Sequence, residues 1–349
     1  MNDYSLFTKV SSDSLIVLAV YVDDILLAGN DVIEMNSLKS FLDDQFKIKD
    51  LGSVHYFLGL EISLIPQGYV MSQHKYTSDL IAEFNCQHFS PVMTLLDPSV
   101  KLVLDMGEPI SDPSLYRRLI GKLNFLQHTR PDISFSVQHL SQFLQKPQVP
   151  HMLVALHVLR YLLNDPAQRV LLSSSSDLSL TAYSDSDWAA CAISRKSVTA
   201  EAEYRALRKV SAEISWLLRL LRDLGLSISS PVPIHCDNQA ALHIAKNPVF
   251  HERTKHIEID CHYVRTCLQA GLISLHFISS SNQLADIMTK ACCKKYLDLT
   301  TDLPPKINLF QNARHDSRSI ADILPFPLSS HAGVVWGQIL PTMVATTPD

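Results

Sequence analysis

The sequence predicts a multidomain chain that mixes α/β and α+β architecture, and three observations lead there. With 349 residues, 46% hydrophobic and 19% charged, and ten glycines, the chain is long enough for two or three domains and apolar enough to fold. Its first apolar stretch, LAVYVDDILLAGND (Leu18 to Asp31), doubles back on a polar pair. From Leu180 onward, strand-like and helix-like patterns alternate, which is the signature of an α/β layer structure.

Ser14 to Tyr21 and Ile25 to Ala28 are short runs rich in Ile, Val and Leu, closed by Gly29, Asn30 and Asp31. Such a pair predicts a β-hairpin with Asp23 and Asp24 at its tip. Adjacent aspartates are ordinary turn chemistry. Two carboxylates about 4 Å apart nevertheless repel by about 1 kcal/mol in water and about 4 kcal/mol near a protein surface. A cation offsets that cost, and magnesium is the usual one where phosphates are handled.

In the middle of the chain, Leu115, Leu119, Leu123 and Leu126 recur at helical spacing within Ser114 to His128, with Gly121 placed to allow close packing. Pro131 suits the first turn of a following helix, with Thr129 or Arg130 near its cap. Pro147 and Pro150 then precede a third helix, Met152 to Leu163. The leucine stripe is core. Arg117, Arg118, Lys122, Arg130 and Lys146 are either phosphate contacts or solvated helix faces.

In the last third, LTAYSDSDW (Leu180 to Trp188) alternates as a strand and ends in acid. A long helical pattern covers Ala200 to Leu224, and VPIHCDN (Val232 to Asn238) is a second strand ending in acid, followed by the helix QAALHIAKN. Ile273 to Ile278 makes a third strand, and QLADIMTKA a closing helix. In this layout carboxylates carried on strand ends and helix faces can converge.

The net charge of −5 advertises no overall basic character toward nucleic acid. Seven scattered cysteines without a C-x-x-C pair argue against a disulfide framework or a structural zinc module, and fit a reducing, intracellular setting. His251, His256, His262 and Cys261 match no standard zinc spacing. The N-terminus lacks a secretory pattern, and neither Leu15 to Leu27 nor Ile323 to Val344 suits a membrane span. The expected location is cytoplasmic or nuclear, not secreted. Phosphate-cradling glycine motifs and aspartic-protease Asp-Thr/Ser-Gly loops do not occur.

Tyr21-Val22-Asp23-Asp24 resembles the palm motif of reverse transcriptases. Leu51-Gly52, YFLGLEI (Tyr56 to Ile62), QHKYTSDLI (Gln73 to Ile81), YRRLIGKLNFL (Tyr116 to Leu126) and TRPDISFSVQHLSQFL (Thr129 to Leu144) resemble, in order, the rest of the copia-type retrotransposon polymerase. The resemblance implies that Asp23 and Asp24 are metal ligands of a polymerase centre, and that the second hairpin grips the primer end. In that family a third carboxylate and the nucleotide-holding fingers come earlier. Here only 22 residues precede Asp23, with Asp3 and Asp13 as their carboxylates, so the polymerase is expected to be incomplete.

The strings YSD, AEY, CDNQAA and QLADI resemble the RNase H domain of the same elements. Carried over residue by residue, they imply a quartet of Asp185, Glu203, Asp237 and Asp286. Such a quartet would hold two divalent ions, Mg2+ or Mn2+, against an RNA phosphate. Asp187 and Glu201 are the alternatives to Asp185 and Glu203. HERTKHIEIDCH resembles the family's nucleic-acid-facing helix before the last strand.

Only 17 residues, SDWAACAISRKSVTAEA, separate Asp185 from Glu203. The RNase H fold puts two further strands there, needing about 25 residues at ~5–6 per strand plus turns. The expectation is an internal deletion that leaves the first strand at the sheet edge and Asp185 less rigidly held, although placement within about 0.5 Å matters for such chemistry.

These readings divide the chain into a truncated reverse transcriptase palm and thumb (1–98), a helical connection (99–176), an RNase H-like α/β domain lacking part of its sheet (177–300), and an unassigned, poorly ordered tail (301–349). The expected function is that of a Pol polyprotein fragment acting on RNA–DNA hybrids and primer-template, with impaired catalysis and possible association with other Pol chains. The alternative is an inactive domesticated or decaying remnant that only binds nucleic acid or protein.

Overall fold

The computed structural model describes residues 6–11, 14–96, 100, 102–173, 180–186, 199–226, 228, 231–247, 258–286, 307–312 and 333–334. Over these residues the protein is a mixed α/β molecule with several sheets.

The first sheet has the order β1 (Leu6–Val10), β2 (Leu15–Tyr21), β3 (Asp24–Gly29), all antiparallel. The hairpin closes through the two residues Val22 and Asp23, with Tyr21 facing Asp24. Val22 sits at φ 49°, a left-handed conformation that opposes its branched side chain. At the other end, the Leu15 N–H donates to Asn30 Oδ1 at 2.8 Å and fixes where the strands part. Asp31 then caps α1 (Val32–Phe46), its Oδ1 accepting from the Glu34 N–H at 3.0 Å.

The second sheet runs β4 (Tyr56–Phe57), β5 (Leu60–Ile65), β6 (Gly68–Ser72), and its fourth strand, β7 (Arg169–Ser173), arrives from about a hundred residues later to pair antiparallel with β6. The β4–β5 turn needs Gly59. Its φ is +82°, and a Cβ there would lie 2.8 Å from the Phe125 ring.

Between β6 and β7 lies a helical unit of α2 (His74–Glu83), α3 (Pro113–Leu126), α4 (Ser134–Ser141) and α5 (Val149–Leu162). α3 begins as its sequence directs, with Asp112 accepting from the Ser114 N–H and proline in the first turn. Leu119, Leu123 and Leu126 of the leucine stripe are fully buried, joined by Tyr116 and Ile120, whereas Leu115 is only half-buried. Gly121 permits no close contact, because a Cβ there would meet nothing within 4 Å. Pro131 opens a short 3-10 turn before α4 rather than α4 itself.

Arg130 stands at the N-cap position of that turn, but its side chain makes no capping hydrogen bond. The Thr129 hydroxyl donates to Gln73 Oε1 at 2.8 Å. Arg130, 3% exposed, meets Asp132, 2% exposed, through Nε–Oδ1 at 3.0 Å and Nη2–Oδ2 at 2.7 Å. Arg130 is therefore neither a phosphate contact nor a solvated residue. Arg118 and Lys122 both pair with Glu83, Lys146 pairs with Asp105 at 2.8 Å, and Arg117 Nε donates to the Leu144 carbonyl.

The third sheet has the order β10 (Ile273–Phe277), β9 (Val232–Cys236), β8 (Leu180–Asp185), β11 (Ile307–Asn312), β12 (Gly333–Val334). β8, β9 and β10 run parallel. α6 (Thr199–Asp223), α7 (Gln239–Lys246) and α8 (Glu258–Gln269) supply the covering layer. On α6 the buried residues Tyr204, Leu207, Val210, Ile214, Leu217 and Leu221 recur every three or four positions, which turns one stripe onto the sheet. Val17 and Ala28 of the first hairpin belong to the same buried cluster. β8 was expected at the sheet edge. Instead β11 pairs parallel to it, Ile307 opposite Leu180 through Asn312 opposite Asp185.

Candidate functional site

Parallel pairing aligns the two strands that end in acid. Ser184 lies opposite Cys236, so Asp185 and Asp237 leave neighbouring strands at the same level. Glu203 reaches the same end from the first turns of α6, and one ligand atom each of Glu203, Cys236 and Asp237 lies within 4.8 Å of the other two. Glu203 and Asp185 are buried, and Asp237 is half-buried. Asn238 caps α7 through the Ala241 N–H at 3.1 Å, which turns the chain sharply just after Asp237.

The fourth expected ligand comes in through Gln283. Its amide is wholly buried, and Nε2 donates to the Ser184 carbonyl at 3.0 Å. The Asp286 N–H in turn donates to the Gln283 carbonyl at 3.3 Å, and Asp286 is 2% exposed. Asp286 is thus tethered two hydrogen bonds from the residue preceding Asp185. On the solvent side, Ser280 Oγ donates to Asp237 Oδ2 at 2.6 Å.

Electrostatics report the same convergence. Burial pushes the Cys236 thiol up to about 12, and the charges of Glu203, Asp237 and Asp185 act in the same direction, against a backbone hydrogen bond at Asn238. Three carboxylates within electrostatic reach of one buried thiol make a donor set suited to a divalent cation. The wholly buried Ser184 hydroxyl has no hydrogen-bond partner among the described residues, which also suits a polar or ionic guest.

Asp23 and Asp24 form no part of that cluster. Both are exposed at the hairpin tip beside Val22, which is 79% exposed. Among the described residues no third His, Cys, Asp or Glu joins them in a metal-holding group. Asp3, Asp13 and Asp187, and the side chain of Glu201, lie outside the described residues. So do His251, His256 and most of the closing helix beyond Asp286, while Cys261 points into the core and His262 outward.

Cys236, Ser184, Ser280 and Gln283 were not foreseen as site residues. The alternation of VPIHCDN, with Val232, Ile234 and Cys236 buried, is a signal that would have placed the thiol on the covered face beside Asp237. The bonds of Gln283 and Ser280 join positions 99 and 43 residues apart and leave no local mark.

Residues 2–98 match the family described as reverse transcriptase (RNA-dependent DNA polymerase). Over 83% of its length the chain is 38% identical to the retrovirus-related Pol polyprotein from transposon RE2 of Arabidopsis thaliana. The chain belongs to the copia-type Pol polyprotein family. The Pol polyprotein from transposon TNT 1-94 of Nicotiana tabacum is 31% identical over 85% of the chain. An uncharacterized mitochondrial protein of Arabidopsis thaliana is 33% identical over 57% of the chain, which covers 93% of that relative. The copia-type chain spans only 22% and 25% of the two transposon polyproteins. No solved structure matches it.

Proposed function

We propose that residues 177–300 form an RNase H-type unit of this Pol fragment, acting on the RNA strand of RNA–DNA hybrids with Mg2+ or Mn2+. The observation that carries the reading is the meeting of Glu203 and Asp237 at Cys236, with Asp185 on the neighbouring strand in electrostatic reach of that thiol and Asp286 tethered alongside. Asp185, Glu203, Asp237 and Asp286 would hold the ions. When bound, such ions supply an activated water and neutralise charge on the leaving oxygen. The protein's own part is positioning: the β8–β9 register sets Asp185 against Asp237, and α6 brings Glu203 across the strand ends.

Turnover is weak in this reading, because 17 residues between Asp185 and Glu203 leave no length for the two strands that ordinarily brace the first. The division at residues 98, 176 and 300 goes with it. By the same family relation, Asp23 and Asp24 are ligands of a polymerase centre that engages primer-template. The setting is intracellular, and other Pol chains are candidate partners. The short Asp185–Glu203 segment also favours a second reading, an inactive remnant that retains nucleic-acid or protein binding.

The test is cleavage of a labelled RNA–DNA hybrid in magnesium or manganese, with Asp237→Asn alongside. Slow metal-dependent cleavage that the substitution abolishes supports the nuclease reading. Cleavage no faster than that of the variant favours the remnant.

A further inference from the structure

We infer that the acidic centre takes a thiophilic divalent cation, zinc or cadmium, with the Cys236 sulfur as a direct ligand beside Glu203 and Asp237. This inference shares its carboxylates with the proposed nuclease centre, and so rests on that reading for the consequence that such an ion would exclude magnesium.

The geometry comes first. One carboxylate oxygen of Glu203, Sγ of Cys236 and one carboxylate oxygen of Asp237 are mutually within 4.8 Å, a spread that one cation can span. Magnesium and calcium take oxygen donors, whereas a sulfur with two carboxylates selects a softer ion. A second observation, independent of the acids, points to the same spot. Ser184 is wholly buried, and its hydroxyl has no hydrogen-bond partner among the described residues. The pairing of Ser184 with Cys236 on parallel neighbours, both buried, sets that hydroxyl beside the sulfur on the covered face of the sheet. A buried, unanswered oxygen next to the thiol is where a fourth donor or a bound water would be needed.

Access and support are also present. Asp237 is half-buried and opens the cluster to solvent, while Glu203 and Cys236 close it from inside. The Asn238 N–H lies 3.4 Å from Sγ and donates to it, a contact that favours sulfur carrying negative charge. Binding forms a metal–sulfur bond and breaks the S–H bond, with the proton passing to buffer, so no oxidant or reductant is consumed.

The experiment uses the full chain, titrated with Cd2+ alone under reducing conditions, and reads the ultraviolet sulfur-to-cadmium charge-transfer band. The expected result is a band from a site that Cys236→Ser removes, although six other cysteines remain. Affinity at that site should fall by at least about 100-fold, and Glu203→Gln should weaken it by about 10–100-fold while sparing the band. Excess Mg2+ should weaken cadmium binding, because the carboxylates are shared. Equal bands and affinities in wild type and Cys236→Ser would overturn the inference. Should Cys236→Ser fail to fold, cadmium NMR of the wild type decides: a resonance typical of one sulfur among oxygens supports it, and an all-oxygen or all-sulfur resonance overturns it. Cleavage of the hybrid in magnesium without this cadmium site would sink the inference and leave the nuclease reading standing. A cadmium site without cleavage would do the reverse.

Discussion

Asp132→Ala removes the acceptor of three hydrogen bonds at once: two from Arg130, and one from the Tyr161 hydroxyl at 3.0 Å. What remains for the buried guanidinium is one carbonyl, that of Asp165, at 2.9 Å from Nη1. Burial works against the charge on Arg130, but the hydrogen bonds and charge of Asp132 more than offset it and raise its pKa above the ordinary value. The variant therefore keeps a charged group 3% exposed that has lost its paired carboxylate, with only the unpaired charge of Asp165 left to act on it. Breaking a buried pair in this way costs about 3–5 kcal/mol. For a unit of about 150–250 residues that is a fall in Tm of roughly 6–20 °C.

The paired change Arg130→Met with Asp132→Leu removes both charges. It should restore all but about 1–2 kcal/mol, because the pair itself is worth little beyond a well-packed apolar replacement. Urea unfolding and circular-dichroism melts of Arg130→Met, Asp132→Leu and the double variant complete a cycle. A loss below about 1 kcal/mol in Asp132→Ala would refute the buried pair. So would a double variant worse than either single change.

Gly59→Ala should destabilise by about 1–3 kcal/mol, because Ala disfavours a left-handed backbone and its methyl would press on Phe125; an unchanged urea midpoint would contradict this. Gln283→Ala removes the buried amide's bond to the Ser184 carbonyl, costs about 1–3 kcal/mol, and should slow hybrid cleavage if Asp286 is held by that tether; a parallel melt and cleavage assay separates the two effects. His151 gives a pH dependence. Burial lowers its pKa, its Nδ1 accepts from the Gln148 N–H at 3.0 Å, and its Nε2 donates to the Val103 carbonyl, which opposes the shift. Protonation would break the first bond. The unfolded chain thus takes up the proton first, so stability is full above the ordinary value of 6.5 and falls below it, by at most about 1.4 kcal/mol per pH unit. A urea midpoint that holds or rises from pH 6.5 to about 5.5 would contradict the assignment.

The sequence shows its elements wherever period and punctuation agree. The α6 stripe, the Asp112–Pro113 start of α3 and the β2–β3 hairpin all follow from residues within a few positions of one another. Asp185, Glu203 and Asp237 could be named from short strings because strand ends and a helix start carry them. What stayed hidden is long-range. Nothing near Arg169 announces a partner at Ser72, and nothing near Ile307 announces one at Leu180. Arg130 looked like a surface cation because its counter-ion, two residues on, is ordinarily a helix-start acid, and only the fold buries both.

The pairing of β7 with β6 has a consequence for how the chain is made. Ser173 must meet Gly68, so the four-stranded sheet is unfinished until the whole helical stretch between them has left the ribosome. Until then β6 exposes an open ladder able to recruit a stray strand. Closure over so long a loop is slow, and the sheet stays open to aggregation at high expression until it is made. Once closed, the arrangement works in reverse: a protease nick anywhere in the intervening helices leaves two pieces still clasped by their shared sheet.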